Sequence, residues 1–204
     1  MHKLQREFYN RDSVTVAKEL LGKYLVHKVN GKELIGKIAE VEAYMGPTDK
    51  AAHSYNNRRT DRNEVMYGLP GFAYVYIIYG MYNCVNVVVE EPGKPQAILI
   101  RAVEPISDLD EISNYRYGKK YGQLSKREII GLTSGPGKLC KALNIDRSQN
   151  GEDLCGDNLY IYENEAAEEF EMVSTTRINI DYAEEARDFP WRFYIKGNSY
   201  VSKK

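Results

Sequence analysis

The sequence predicts an α+β fold: a single domain over residues 1–204, built on a curved, mostly antiparallel β-sheet that is flanked by helices and carries a protruding β-hairpin. Three observations predict it. The chain has 204 residues, of which 43% are hydrophobic, enough for one compact core. Short runs of β-branched and aromatic residues alternate with turns that contain glycine and proline. The segments with helical character between them are brief.

The first helix is predicted near the N-terminus. Asp12 and Ser13 can cap a helix over Val14–Leu21, because their side-chain oxygens accept hydrogen bonds from N–H groups of the first turn. Gly22 follows, and glycine commonly ends a helix in a left-handed conformation. We therefore expect a short helix before the first long strand.

Residues 33–44 are predicted to form that strand, because apolar residues recur at every second position and only Lys37 interrupts them. The predicted apolar face consists of Ile35, Ala39, Val41 and Ala43. The opposite face ends in Glu40, Glu42 and Tyr44, since side chains two apart on a strand lie on the same side.

A β-hairpin and a third strand follow the loop-like segment 45–71. Phe72–Ile78 and Asn83–Val89 are rich in β-branched and aromatic residues, and they flank Tyr79-Gly80-Met81-Tyr82, the predicted hairpin tip. After a turn rich in proline and glycine, Gln96–Val103 is predicted as the next strand. Strands in direct succession favour antiparallel pairing.

Further helical segments are predicted in the second half of the chain. Residues 107–130 are charged and partly helical, and a helix that opens at Ser134-Gly135-Pro136-Gly137 runs to about Leu143, because proline is favoured in a first turn. A short helix is expected near Tyr182–Arg187. No function is assigned to residues 107–130 or to the acidic segment 163–171.

Composition and cysteine usage predict an intracellular protein. No stretch approaches the roughly 20 apolar residues of a membrane-spanning helix, and the N-terminal residues lack the apolar core of a secretory signal. Cys84, Cys140 and Cys155 are far apart and form no CxxC motif, which favours free thiols in a reducing compartment and predicts no metal site. We expect the cytoplasm and nucleoid, or the nucleus in a eukaryote, and no membrane association.

The charge distribution leaves two interpretations open. The formal net charge is −1, which is unusual for a protein that binds nucleic acid. Residues 1–140 carry 20 Lys and Arg against 16 Asp and Glu, whereas residues 141–204 carry 8 against 13. A basic face that binds DNA is compatible with this asymmetry, and so is an ordinary acidic cytoplasmic protein.

Glu40 and Glu42 are the first candidates for chemistry. Two carboxylates on one face of a strand suit a glycosidase, in which one acts as acid and the other as base. Solvated acids of an edge strand are the alternative. Tyr44 follows on the same face, and His53 and Tyr76 lie in neighbouring segments, which favours an aromatic pocket for a flat, electron-poor ring. The 17 tyrosines can equally be half-buried strand residues.

The predicted hairpin tip places Tyr79 and Met81 at a turn, where polar residues normally occur. Proteins that extrude a base from the duplex need such a wedge to fill the gap in the base stack. A tip that packs under the 45–71 loop is the alternative.

Three basic residues are candidates for contacts with DNA phosphates. Arg58 and Arg62 lie among asparagines in the 45–71 loop, and Lys138 follows the glycines that open a predicted helix. Arginines in a polar loop are often only solvated, so a surface role without any ligand stays open for them.

Five segments together resemble the alkyladenine (3-methyladenine) DNA glycosylase family, of the type without a helix–hairpin–helix motif. They are EVEAYMGPTDKAAHS (40–54), YVYIIYGMYNCVN (74–86), ILIRAVEP (98–105), LTSGPGKLCKAL (132–143) and RFYIKGNSYVS (192–202). They are ordered along nearly the whole chain and are highly specific in combination. The resemblance implies a monofunctional DNA glycosylase that works without a cofactor.

The resemblance implies that Glu42 is the base of the reaction. This residue matches the family's general base, which deprotonates the attacking water. Arg101 matches the arginine that helps to hold that water and the carboxylate. Glu40 is implied to be supporting, which replaces the two-carboxylate interpretation with a single anionic base.

The resemblance also implies a lesion pocket and a wedge. Tyr44, His53 and Tyr76 match the aromatic pocket around the flipped base. Tyr79 matches the residue that is inserted into the duplex. Asn86 matches the side chain that crowds the exocyclic amine of normal guanine.

The expected partner is double-stranded DNA that contains damaged purines, and the expected state is a monomer. The expected substrates are 3-methyladenine, 7-methylguanine, hypoxanthine and ethenoadenine, released by hydrolysis to leave an abasic site. An alkylated purine is cationic and leaves without protonation, whereas neutral lesions need additional acid assistance. A non-catalytic protein that binds damaged DNA or RNA is the alternative.

Overall fold

The computed structural model describes residues 2–164 and 169–203, and its nine strands form one open sheet in which the pairings are antiparallel. The strands are β1 His2–Lys3, β2 Tyr24–Val29, β3 Lys32–Tyr44, β4 Ala73–Ile78, β5 Tyr82–Val89, β6 Gln96–Pro105, β7 Leu159–Glu163, β8 Met172–Thr175 and β9 Arg192–Ile195. The main path runs β1-β7-β2-β3-β6-β5-β4, with β9 between β3 and β8. The predicted α+β class is confirmed.

Short helices surround this sheet. The α-helices are α1 Arg6–Tyr9, α2 Ser13–Leu20, α3 Leu109–Tyr117, α4 Lys126–Ile130 and α5 Pro136–Ala142. Single 3₁₀ turns occupy Gly46–Thr48, Tyr55–Asn57, Glu64–Tyr67, Tyr121–Gln123 and Arg147–Gln149, and a longer run covers Asp181–Asp188. The expected short helix near Tyr182–Arg187 is therefore a 3₁₀ run, and it is broken at Glu184, where φ is +49°. Of the acidic segment 163–171, residues 165–168 lie outside the described residues.

Helix α2 shows how local sequence and core packing agree. The Asp12 carboxylate accepts a hydrogen bond from the Thr15 N–H at 2.8 Å, as expected of an N-cap. Val16, Ala17 and Leu20 lie on the same side of the helix and are fully buried against the sheet. The helix end fits the prediction, since Gly22 has a φ of +80°.

Strand β3 differs from the prediction. The residues that point to the main core are the even-numbered ones in its first half and the odd-numbered ones in its second half. Leu34 and Ile38 join the main core in the first half, whereas Val41 and Ala43 do so in the second. The cause is a β-bulge: in the pairing with β6, one β6 step spans two β3 steps at Ala39. The predicted face with Ile35, Ala39, Val41 and Ala43 was therefore wrong in its first half. The bulge also explains why a lysine is tolerated at position 37. In the first half of β3, Lys37 points away from the main core, on the side opposite Leu34 and Ile38.

The same strand is the branch point of the sheet. Residues 32–37 of β3 pair with β2, and Glu40, Val41 and Glu42 pair with β9 along the same edge. The second half of β3 is therefore a central strand between β6 and β9, and both of its carboxylates lie inside the protein. Among the helices of the described residues, none is long and apolar enough to cross a bilayer.

Candidate active site

Strand register places two candidate residues of the sequence, Glu42 and Asn86, in one row across the sheet. Tyr74 pairs with Asn86, Asn86 with Leu99, Leu99 with Glu42, and Glu42 with Arg192. Residues directly opposite each other in a sheet point to the same face. Five neighbouring strands, β4, β5, β6, β3 and β9, thus contribute side chains to the same face of the sheet.

Glu42 is fully buried, and both of its carboxylate oxygens are held. Oε1 accepts a hydrogen bond from the Ile178 N–H at 2.7 Å. Oε2 accepts one from the Tyr44 hydroxyl at 2.8 Å and lies 3.3 Å from Nη1 of Arg101. These contacts fix the plane and the direction of the buried carboxylate. This arrangement suits a base with a fixed orientation.

Arg101 owes its position to a second bulge. It is the extra residue where two β6 steps oppose the single β3 step between Glu40 and Val41. Bulges re-aim side chains and are frequent beside active sites. As a result the Arg101 guanidinium lies between two carboxylates, with Nε 3.4 Å from Oε1 of Glu40 and Nη1 3.3 Å from Oε2 of Glu42.

Glu40 is equally buried and has its own partners. It accepts hydrogen bonds from Nη1 of Arg192 at 2.8 Å and from the Ser202 N–H at 2.7 Å. The alternative of solvated edge-strand acids is wrong, because Glu40 and Glu42 both have no exposed surface. Glu40 neutralises two arginines, which keeps Arg101 in place beside Glu42.

A pocket of about 380 Å³ opens next to this network. Its lining includes Tyr44, His53, Tyr74, Tyr76, Tyr79, Tyr82, Cys84, Asn86, Leu99, Arg101, Arg116, Gly135–Lys138, Ile178–Ile180 and Tyr182. Glu42 is not part of this surface and lies directly behind Tyr44 and Arg101. Aromatic rings and Arg101 thus form the pocket surface, and the buried Glu42 carboxylate lies in contact with Tyr44 and Arg101 behind it.

Asn86 lies in the pocket wall, and its amide is hydrogen-bonded to the backbone of the hairpin. Its Nδ2 donates to the backbone carbonyl of Tyr74 at 2.9 Å. The hydrogen bond to the hairpin backbone fixes the amide plane, so the side chain is a rigid part of the pocket wall.

His53 lies at an exposed part of the pocket in contact with two tyrosines. Its Nδ1 lies 2.8 Å from the Tyr74 hydroxyl, and its ring packs edge-on against Tyr76 at 4.6 Å between centroids. The two tyrosines cover part of the ring, and this partial removal from water, together with the nearby Arg62 and Arg58, lowers the pKa of His53 from 6.5 to about 4. The imidazole is therefore neutral at physiological pH and does not repel a cationic ring in the pocket.

A proton NMR titration of His53 should accordingly show a midpoint near pH 4 in the folded protein. Between about pH 4 and 6.5 the unfolded chain binds more protons at this residue, so its contribution to stability falls as the pH is lowered through that window. Arg62→Ala should raise the midpoint, because one nearby positive charge is removed. A midpoint near 6.5 in the wild type contradicts the described environment of the ring.

The hairpin tip is exposed. Tyr79 is 75% and Met81 69% exposed, and Nη2 of Arg62, from the 45–71 loop, reaches the hairpin below its tip, at the Ile77 carbonyl, at 3.2 Å. A tip packed under this loop is therefore excluded. Tyr79 also has a φ of +53°, a left-handed conformation that costs an aromatic residue about 1–2 kcal/mol.

The predicted basic residues lie around the pocket opening. Arg62 stacks over the Tyr76 ring at 5.2 Å, and Arg58 is close enough to His53 to affect its pKa. Arg59, the third arginine of this loop, instead forms an ion pair with Glu64. Arg58 and Arg62 thus remain the candidates for phosphate contacts in this loop.

The start of α5 forms a further wall of the pocket. Gly137 allows close packing there, because a Cβ at this position would lie 2.9 Å from Cβ of Tyr82. Lys138 belongs to the same wall, although residues 40–44, 53 and 74–86, which match the family's pocket, contain no lysine. Partial burial and the nearby Arg116 lower the pKa of Lys138. Arg116 belongs to the segment 107–130, which had no function assigned from the sequence.

Several residues of the site have no signature in the sequence. The Ile178 N–H is a main-chain donor, and such groups leave no trace in residue identity. Tyr182 lines the pocket and is 70% exposed, yet it lies in a segment that shows only weak helical character. Within the described chain, no cluster of three or more His, Cys, Asp or Glu side chains could hold a metal ion.

Comparison with known proteins agrees with this geometry. Residues 7–199 match the family model described as methylpurine-DNA glycosylase. The chain belongs to this family. The resemblance inferred from the five motifs is confirmed, and the protein is a DNA glycosylase, a DNA repair hydrolase that acts on N-glycosyl bonds.

Close relatives of this glycosylase share its full length. A protein of Desulfitobacterium hafniense is 58% identical over 204 residues, and one of Alkaliphilus oremlandii is 57% identical over 202, each match covering all of the relative and at least 99% of this chain. A Clostridium novyi protein is 57% identical over 204 residues. All three carry the name "Putative 3-methyladenine DNA glycosylase".

Proposed function

We propose that this glycosylase flips alkylated and deaminated purines out of duplex DNA and hydrolyses their N-glycosidic bond with water that Glu42 activates. The single observation that supports it best is the position of Glu42, a buried carboxylate with both oxygens fixed, directly behind an aromatic pocket. The proposed substrates are 3-methyladenine, 7-methylguanine, hypoxanthine and ethenoadenine.

In the proposed reaction, a water molecule attacks the anomeric carbon while its proton passes to Oε2 of Glu42. The N-glycosidic bond breaks, and its electron pair leaves with the purine. The electron pair neutralises a cationic alkylated base, whereas a neutral base such as hypoxanthine must also gain a proton, which solvent supplies. In the free protein, Oε2 is covered by the Tyr44 hydroxyl and by Arg101. A water molecule can contact Oε2 only if the Tyr44 hydroxyl or the Arg101 guanidinium moves away from it. The contact with Arg101, at 3.3 Å, is longer than the contact with Tyr44, so Arg101 is the group that moves. Arg101 then holds both water and carboxylate.

The pocket chemistry matches a damaged purine. The electron-rich faces of Tyr44 and Tyr76 attract a cationic base, and the neutral His53 adds no opposing charge. Burial raises the pKa of the Cys84 thiol to about 11, so this pocket residue is no competing nucleophile. An alkylated purine bears the positive charge itself and leaves without an acid.

The exposed surface around the pocket suits duplex DNA. Tyr79 and Met81 project from the hairpin and would fill the gap left by the flipped nucleotide. Arg58, Arg62 and Lys138 surround the opening, where they would contact phosphates. We infer a monomer that acts in the compartment that holds the DNA, the cytoplasm and nucleoid of a bacterial cell.

The activity is tested with a labelled duplex that contains a single inosine. The protein should convert it to a product that is cleaved at the inosine after alkali and stays intact without alkali. Binding without any alkali-labile product would indicate a non-catalytic damage-binding protein, and preferential binding of RNA an RNA-binding protein. Either result contradicts the proposed hydrolysis.

We infer a monofunctional enzyme, which leaves the abasic site intact. Borohydride should trap no covalent protein–DNA adduct, because in the proposed reaction water, and not an amine, attacks the anomeric carbon. Lys138, in the pocket wall formed by α5, is the amine that could form such an adduct instead. Trapping by the wild type that disappears in Lys138→Ala would overturn this inference and identify the lysine as a nucleophile.

Asn86→Ser should raise the release of undamaged guanine by about 10- to 100-fold, because a smaller side chain makes room for the exocyclic amine in the pocket wall. Hypoxanthine lacks that amine, so its excision should change much less. Single-turnover excision from guanine and inosine duplexes measures both. A parallel fall in the two rates would show that the hydrogen bond to the Tyr74 carbonyl is the main role of Asn86.

A further inference from the structure

Arg177 and Asp49 form a completely buried ion pair beside the proposed active site. Both side chains have no exposed surface, and two hydrogen bonds of 2.5 and 2.8 Å join them. We propose that Arg177, held by Asp49, is the positioning residue that fixes both oxygens of the Glu42 carboxylate. This inference rests on the proposed function, in which Glu42 is the base.

The first connection runs through the main chain. Nη1 of Arg177 donates to the Ala43 carbonyl at 3.0 Å, which anchors residue 177 to the strand next to Glu42. The following residue, Ile178, then directs its N–H to Oε1 of Glu42 at 2.7 Å. Nη2 adds a bond of 3.1 Å to the Ala186 carbonyl, so the segment is fixed on its other side as well.

The second connection runs through Tyr44. The Arg177 guanidinium lies over the Tyr44 ring at 4.8 Å and over the Trp191 ring at 5.0 Å. The Tyr44 hydroxyl in turn donates to Oε2 of Glu42 at 2.8 Å. One arginine therefore supports the donors to both oxygens, and Arg101 is the remaining contact.

Asp49 also holds the chain segment that carries the pocket residues Ala51 and His53. Its carboxylate accepts hydrogen bonds from the N–H groups of Met45 and Ala51, in the segment that leads to His53. A buried ion pair is weak evidence for stability, since apolar replacements of similar size are often as stable. Its value at this position is geometric: the planar fork of arginine fixes several acceptors at once, which a lysine cannot do.

Arg177→Lys is the decisive variant, because lysine keeps the positive charge but lacks the planar guanidinium that donates several hydrogen bonds at once. With enzyme in excess over an inosine duplex, we expect excision about 10- to 100-fold slower than the wild type, as a displacement of about 1 Å costs that much. Lesion affinity should change less than about threefold, since the pocket lining keeps its residues. The assay temperature is set well below the melting temperature of each variant.

A double-mutant cycle distinguishes an effect of Arg177 on the position of Glu42 from an effect on the fold as a whole. If Arg177 acts through Glu42, Arg177→Lys should have almost no further effect on the excision rate in a Glu42→Gln background. Additive losses would overturn the proposal, and so would a wild-type rate for Arg177→Lys alone. Near-normal excision by Glu42→Gln alone is a different result, which contradicts the proposed function itself.

Two further variants complete the test. Asp49→Asn should reproduce the effect of Arg177→Lys, and it replaces that variant if the lysine protein does not fold. If neither variant folds, the pair is a folding element and the proposal is overturned. Asp153→Asn is the matched control: it removes the partner of Arg6, an ion pair outside the pocket, and should lower stability without slowing excision.

Discussion

Glu42→Gln should bind duplex DNA with a damaged purine and excise the base at least about 10³-fold more slowly than the wild type. The amide has nearly the same shape as the carboxylate, and its oxygen can still accept the Ile178 hydrogen bond. It cannot take a proton from water, and it forms no ion pair with Arg101. Single-turnover excision of inosine, normalised to the fraction of protein that binds the lesion, measures the loss.

Stability must be measured alongside, because Glu42 is buried and the substitution leaves Arg101 with one carboxylate partner, Glu40. The melting temperature is expected to fall, and the assay is made where both proteins are folded. Near-normal excision by the folded variant would contradict the assignment of Glu42 as the base.

Tyr79→Ser should weaken lesion binding and excision together, by about 10- to 100-fold. Filling the vacated position in the base stack is expected to offset part of the few kcal/mol that unstacking costs, and serine cannot do so. The melting temperature should stay nearly constant, since the ring is 75% exposed. Binding titrations with an inosine duplex and thermal unfolding measure the two quantities.

Three variants sharpen this test. Tyr79→Gly should lose activity to a similar extent without losing stability, because glycine relieves the left-handed strain at a φ of +53°. Tyr79→Trp keeps a large ring and should retain much of the activity. Leu69→Ser removes another exposed apolar side chain, outside the pocket, and should change neither activity nor binding. A large fall in melting temperature for Tyr79→Ser would show instead that the ring packs in the fold.

The parts of the fold that depend on local rules were predictable from the sequence. The cap at Asp12, the positive φ at Gly22 and the hairpin around Tyr79 follow from local residue preferences. The face of β3 was not predictable, because a bulge at Ala39 changes the alternation and no residue type marks it. The same limit applies to Arg101, whose direction depends on a second bulge.

The sequence motifs identified the side chains that line the pocket, but they did not identify the buried residues that hold those side chains in position. Tyr44, His53, Tyr76 and Asn86, which the motifs singled out, line one pocket. That this pocket receives the flipped base stays a prediction. The ion pair between Arg177 and Asp49 joins residues 128 apart in sequence, and only the folded chain shows that they meet. Contacts of this kind depend on tertiary structure, so a single sequence gives no pattern for them.

The most direct test of the central claim is chromatographic analysis of the material that the wild-type protein releases from methylated duplex DNA. The proposed reaction predicts free 3-methyladenine and 7-methylguanine, released as bases, while the sugar–phosphate backbone stays intact. Release of nucleosides or nucleotides, or no release of methylated purine at all, would contradict hydrolysis of the N-glycosidic bond of alkylated purines by this enzyme.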